Sequence, residues 1–382
     1  MLHFYTATET SKMTKNISTI KLPPNPRILI IRLSAIGDVL MTSPVPKALK
    51  ENIPGAHITW IVDPLSAAIV QHNPYVDDVI IVQQLPKWQK MFDKMEFIPL
   101  FREFSTFGKE LRKLNFDVVL DCQGLLKSGL IAKMTGAPIR VSINAYEWGN
   151  QHLVTRVVGK IPTRRLSANY THILSAFGFD DSPRDLVLDI PDDILQEARK
   201  ILTDHGLNKG RYAAFCVSSS RPQKDWVWNR WGDLADLLWR KYEMKSVIIA
   251  GPERRIDAMR LQEEHPESRP VPAAGLLSLI QSTAIVQSAD VIIGVDTGLT
   301  YAGLTANKPT VALYGSTTAE WLAEEPTCTV CLHPYPCAPC RRHPTCKNYD
   351  CMFDITVEEV DDSIIKIMAE VEKRFAITDT SK

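Results

Sequence analysis

Several absences limit what this chain can be. It has no charge excess: 44 Lys and Arg balance 44 Asp and Glu over 382 residues, so the basic field expected of a nucleic-acid binder is missing. No apolar run is long enough to cross a bilayer. Residues 1–26 lack the continuous apolar core of a leader, so a polar, mobile tail and a cytoplasmic protein are expected. No G-x-G-x-x-G follows the first strand-forming run, I-L-I-I at 28–31, which disfavours a dinucleotide-dependent dehydrogenase. No short-period repeat is visible.

What is present is alternation. Apolar strand-like runs at 27–33, 57–62, 79–82, 118–121 and 139–142 are separated by helical patterns, and a second series follows at 212–217, 246–249, 291–294 and 310–314. Such alternation predicts α/β architecture with parallel sheets. The expected organisation is a tail over 1–26, a first Rossmann-like half over 27–190 and a second over 191–355. The two are joined around D-I-P-D-D at 189–193, and a C-terminal helix and tail follow over 356–382. Ligands of open parallel sheets sit beyond the carboxyl ends of the strands. A carboxylate there, Asp38 in I-R-L-S-A-I-G-D, should therefore point into a cleft between the halves.

The second half supplies groups of opposite character. S-S-S-R-P-Q-K-D-W at 218–226 puts hydroxyls, Arg221 and Lys224 after a strand, a set suited to a diphosphate or to an ordinary polar loop. G-V-D-T-G-L-T-Y at 294–301 runs from a strand into a helix whose free N–H groups suit an anion, though a plain capped helix reads the same way. Glu253 follows another strand, where an acid can hold ribose hydroxyls or simply face solvent. In D-C-Q-G-L-L-K-S at 121–128, Lys127 opposes the dipole of the helix it opens. It is either an anion contact or an exposed lysine. A base facing an activated phosphate ester is the layout of group transfer from a nucleotide.

Two further segments stand out. Residues 86–109 interleave aromatic and Met residues with Lys and Arg, fitting a membrane surface or anionic amphiphile, or else a helix pair covering the core. Six of the eight cysteines fall within 328–351. Their C-x-x-C pairs favour zinc or iron over disulfides in a reducing compartment, with Cys337, Cys340, Cys346 and Cys351 as the expected set. Unligated thiols, or disulfides formed after isolation, are the alternatives.

In combination, I-R-L-S-A-I-G-D-V-L, D-C-Q-G-L-L-K-S, S-S-S-R-P-Q-K-D-W and V-D-T-G-L-T-Y-A-G-L resemble the motifs of the ADP-heptose lipopolysaccharide heptosyltransferases of glycosyltransferase family 9. The Q-G-L-x-K-S form resembles heptosyltransferase I most. The resemblance covers about residues 26–375. It implies a GT-B fold of two facing Rossmann-like domains. It also implies inverting transfer of heptose from ADP-heptose to Kdo2-lipid A, with no cofactor required for catalysis and a peripheral position at the cytoplasmic face of the inner membrane. Asp38 takes the place of the base. Ser219, Ser220, Lys224, Glu253, Asp296, Thr297, Gly298 and Leu299 take the donor positions, and Lys87, Lys90, Gln123 and Lys127 the acceptor positions. A protein-heptosylating branch binds iron through cysteines like those here. One departure is Tyr301, where the family usually has His. Another family 9 acceptor, such as a later core heptose or a protein, and a non-catalytic sugar-nucleotide-binding metal protein are the competing readings.

Overall fold

The computed structural model describes residues 19–144, 147–159, 165, 167–207, 210–340 and 344–379. Among the described residues, eleven strands form two all-parallel sheets. The first contains β1 (Arg27–Ile31), β2 (His57–Val62), β3 (Asp78–Ile81), β4 (Val118–Asp121), β5 (Ile139–Ser142) and β6 (Arg156–Val157), in the order β3-β2-β1-β4-β5-β6. The second contains β7 (Tyr212–Cys216), β8 (Lys245–Ile249), β9 (Val291–Val295), β10 (Thr310–Tyr314) and β11 (Cys328–Leu332), in the order β11-β10-β9-β7-β8. The doubly wound α/β architecture expected from the alternation is therefore present in both halves.

The strand sequences explain why both faces are covered. R-I-L-I-I carries no alternating polar residue, so each face of β1 must be buried. Ile28 and Ile30 enter one core with Trp60, while Leu29 and Ile31 enter another with Ile61. In β7, Ala213 and Phe215 face a core with Trp231, and Ala214 and Cys216 face the opposite side. One buried cluster runs continuously from Ile30, Val39 and Leu40 of the first half to Tyr301, Ala302 and Ile285 of the second. The halves are thus packed together.

Two strands were not apparent in the sequence. β6 is only two residues long. β11 reads C-T-V-C-L, so the first C-x-x-C pair lies in a strand paired with β10. The tail expected over 1–26 is docked from residue 19 on: Ile20 and Leu22 pack against the core, and the Ile20 N–H donates to Ala176 O at 3.0 Å. Residues 1–18 lie outside the described residues. The chain crosses between halves near residue 190, where the Asp189 N–H donates to His72 O at 2.9 Å, before the helix Asp192–Thr203 begins.

Residues 85–113 fold as two helices, α1 (Leu85–Asp93) and α2 (Phe97–Lys113). Trp88 turns inward against Phe104 and Phe107 at centroid distances of 4.4 and 5.3 Å. Phe92, Met95, Phe97, Ile98 and Phe101 stay exposed. The pair therefore covers the core with one face and presents an apolar face outward.

Phe215 is fully buried with its ring 5.2 Å from Trp231. Phe215→Ala should cost about 3–5 kcal/mol, read as a lower urea midpoint. A loss below about 1 kcal/mol would mean that the second core is not organised around this pair.

Candidate functional site

In an open α/β sheet, loops diverge where neighbouring strands send their connections to opposite faces. The strand orders place that point between β1 and β4 in the first sheet and between β7 and β9 in the second. The loops after β1, β7 and β9 meet in a cleft of about 940 Å³ lined by Ile36–Asp38, Tyr170, Ser220, Arg221, Lys224, Asp296–Gly298, Tyr301, Tyr314, Thr317 and Thr318, among others.

Asp38 lies in the first turn of the helix Ile36–Thr42, where its carboxylate accepts from the Ala35 N–H at 3.4 Å. An acid favours that helix end, but local capping leaves most of its capacity unused. Tyr170 donates its hydroxyl to Asp38 Oδ1 at 2.7 Å, and Arg32 forms an ion pair with Oδ2. Arg32 itself is buried, donates to Cys122 O at 2.9 Å and lies over the Tyr170 ring. Burial disfavours its charge, but Tyr170, Asp38 and Cys122 outweigh burial and raise its pKa. The Asp38 side chain remains 37% exposed, against 8% for Arg32. The carboxylate is therefore fixed from behind and open to the cleft.

Across from it, β9 ends at Asp296, a buried carboxylate saturated with donors. Oδ2 accepts from Lys224 Nζ at 2.6 Å and Thr317 Oγ1 at 2.7 Å. Oδ1 accepts from Tyr301 at 2.5 Å and Tyr314 at 3.2 Å. Burial alone would raise its pKa, but the Lys224 charge, then the hydrogen bonds from Lys224, Tyr301 and Thr317, hold it below the usual carboxylate range. Lys224 sits on a rigid 3-10 turn, Pro222–Lys224. Asp225 organises that loop by accepting from the Ser219 N–H at 3.0 Å and from Arg254 at 2.7 Å. Buried Trp226 pins the loop's far end by donating to Ile355 O at 2.9 Å. With one donor spent on Asp296, the ammonium keeps others for an anion in the cleft.

Other residues singled out in the sequence lie elsewhere. Ser219 turns its hydroxyl to Arg221 O and Asp225. Leu299 packs against the core, and Glu253 is exposed outside the cleft lining. Gln123 is buried, with Oε1 accepting the Leu33 N–H at 2.9 Å, so it braces the strand end leading to Asp38. Lys127 is exposed at the start of the helix Leu126–Met134. Lys87 pairs with Glu103 at 2.8 Å and Lys90 is exposed, both on α1.

Of the cysteines, Cys328 and Cys331 belong to β11. Cys337, Cys340, Cys346 and Cys351 are mutual neighbours: partial burial, Cys346 and Cys340 raise the Cys337 thiol pKa, and burial with the other three thiols raises Cys351. Cys340 lines the cleft and lies 3.8 Å from Ser316 O. Among the described residues, no group of three or more His, Cys, Asp or Glu stands at metal-holding distance.

Sequence reasoning missed Arg32, Tyr170, Asn169, Tyr314, Thr317 and Thr318. Arg32 lay inside a quoted motif, where a charge in a strand-like run signals a buried partner. Thr317 and Thr318 follow β10 as hydroxyls after a strand. Tyr170 and Asn169 carry no local signal. The Asn169 amide oxygen is buried without a hydrogen-bond partner among the described residues.

Comparison with known proteins gives this geometry a family. The model described as glycosyltransferase family 9 (heptosyltransferase) matches residues 104–349. Lipopolysaccharide heptosyltransferase 1 of Escherichia coli strain K12 is 26% identical over 301 residues, 76% of this chain and 88% of that protein. A glycosyl transferase family 9 structure from Veillonella parvula DSM 2008 superimposes with a TM-score of 0.74 at 21% identity, over 90% of this chain and 97% of that one. E. coli heptosyltransferase WaaC with ADP-2-deoxy-2-fluoro heptose gives 0.69 at 23% identity, over 89% and 99%.

Tyr170→Phe removes one hydrogen bond to Asp38 and keeps the ring beneath Arg32. It should lower kcat about tenfold, about 1.4 kcal/mol, with the donor KM little changed. Steady-state kinetics of transfer checks this. A change confined to the donor KM would place Tyr170 with the donor instead.

Proposed function

The chain belongs to glycosyltransferase family 9, and from that premise we propose that it transfers heptose from ADP-L-glycero-β-D-manno-heptose to the Kdo of the lipid A inner core of lipopolysaccharide. The observation that carries this reading is a half-exposed carboxylate, Asp38, sharing one cleft with a buried lysine–carboxylate pair and a helix N-terminus on the other half. Relatives named lipopolysaccharide heptosyltransferase 1, and a neighbour solved with an ADP-heptose analogue, support the choice of donor and acceptor class.

In this reading Lys224, Ser220, Arg221 and the N–H groups at Thr297–Gly298 take the diphosphate. Negative charge builds on the ADP oxygen as the glycosidic bond breaks, and Lys224 meets it without reorganising because Asp296 already fixes its stem. Asp38 accepts the proton of the attacking hydroxyl. Arg32 and Tyr170 keep its open oxygen face on the cleft. Attack opposite the leaving group converts a β-linked donor to an α-linked product.

The acceptor carries a lipid, and the outward apolar face of α1 and α2, flanked by Lys90, Lys94 and Arg102, supports contact with the cytoplasmic face of the inner membrane. No helix of the described residues is long and apolar enough to cross one. The thiols of Cys337, Cys340, Cys346 and Cys351 are of the type that binds zinc or iron, but no three of them stand at metal-holding distance, so no ion is placed there. Nothing in the transfer calls on one, and no cofactor is assigned to the reaction. A later core heptose or a protein is the second reading of the acceptor within the family. Lys127 and Lys90 lie outside the cleft lining and do not fix it.

Wild-type protein should release ADP and add heptose when given ADP-heptose and Kdo2-lipid A. Asp38→Asn should lose about 10²–10⁴ in kcat while still binding ADP. Transfer only to another acceptor would move the assignment within the family, and undiminished turnover by Asp38→Asn would remove its role as base.

A further inference from the structure

The helix Ile36–Thr42 of the first half and the helix Gly298–Thr305 of the second meet at their N-terminal ends, each beginning beside a glycine. A Cβ on Gly298 would stand 2.6 Å from Ile36 Cγ2 and 2.8 Å from Gly37 N. A Cβ on Gly37 would stand 2.9 Å from two ring carbons of Tyr301. Neither glycine occupies the left-handed region, so backbone conformation does not demand them. Space does: the halves approach more closely here than any side chain on those positions permits.

Tyr301 is the hinge pin of this contact. Its ring is buried against Gly37, the residue immediately before Asp38. Its hydroxyl donates to Asp296 at 2.5 Å and is hydrogen-bonded to the Tyr314 hydroxyl. Asp296 in turn holds Lys224 at 2.6 Å. One side chain therefore faces the base helix with one edge of its ring, Cδ2–Cε2, and its tip reaches, through one carboxylate, the lysine of the opposite half.

We propose that Tyr301 is a positioning residue that sets the separation between Asp38 and Lys224. The ring is the stop against which the base helix docks, and the hydroxyl registers that stop to the carboxylate carrying the lysine. The proposal rests on reading the cleft as the donor site. It predicts a division of labour within one residue, with the ring governing kcat and the hydroxyl governing affinity for the diphosphate.

A double-mutant cycle tests it. Gly37→Ala inserts a methyl into the ring contact and should lower kcat at least about tenfold, a larger loss than in ADP affinity measured by calorimetry. In a Tyr301→Ala background, which opens the space, the same Gly37→Ala change should cost less than about twofold. Tyr301→Phe keeps the stop but should weaken ADP binding about threefold to tenfold. Thermal unfolding of the four proteins of the cycle reads the contact without activity: Gly37→Ala should lower Tm in the Tyr301 protein and not in Tyr301→Ala. Equal Gly37→Ala losses in both backgrounds, or unchanged ADP affinity in Tyr301→Phe, would overturn the proposal. Wild-type protein that binds no ADP while the Tm coupling persists would instead remove the donor-site reading and leave the contact as a purely structural one.

Discussion

The ion pair between Lys224 and Asp296 is the interaction on which the site depends. Removing a carboxylate and an ammonium from water costs several kcal/mol per ion unless hydrogen bonds and geometry offset it. Here both side chains are about 85% buried, and Asp296 accepts from Lys224, Thr317, Tyr301 and Tyr314. Those donors come from the loop after β7, from β10 and the loop that follows it, and from the helix after β9. The carboxylate therefore ties three chain segments together at the mouth of the second sheet. A lysine held in this way has lost its freedom before any ligand arrives, and binding an anion need not cost that entropy again.

The first half treats its carboxylate in the opposite manner. Asp38 has Arg32 and Tyr170 behind it and solvent in front. One carboxylate is saturated and organises a cation; the other is braced and kept available. That contrast, two acids in one cleft with different environments, is the basis for proposing a structural role for one and a proton-accepting role for the other. The close packing of Gly37, Gly298 and Tyr301 keeps the two environments in register.

The fold was legible because parallel strands buried on both faces announce themselves as unbroken apolar runs; β2, β4, β5 and β10 fall at the residues expected from sequence. β11 was hidden because its cysteines suggested metal chemistry before they suggested a small apolar strand. The residues after strand ends, Asp38, Lys224 and Asp296, were legible because strand–loop–helix order fixes where they point. Their supports were not. Tyr170 reaches Asp38 across 132 residues of chain, and Tyr314 meets Tyr301 from a neighbouring strand, contacts that only tertiary packing creates. Gln123 shows the converse: a polar residue inside a recognisable motif can face inward and brace a backbone N–H.

The most direct test of the account is calorimetric titration of ADP into wild-type, Lys224→Met and Asp38→Asn proteins. In the proposed reading Lys224 meets the diphosphate and Asp38 does not, so Lys224→Met should lose about 10- to 100-fold in affinity, while Asp38→Asn should bind within about twofold of wild type. Equal losses in the two variants, or none in Lys224→Met, would contradict the division of the cleft into a phosphate-holding half and a proton-accepting half.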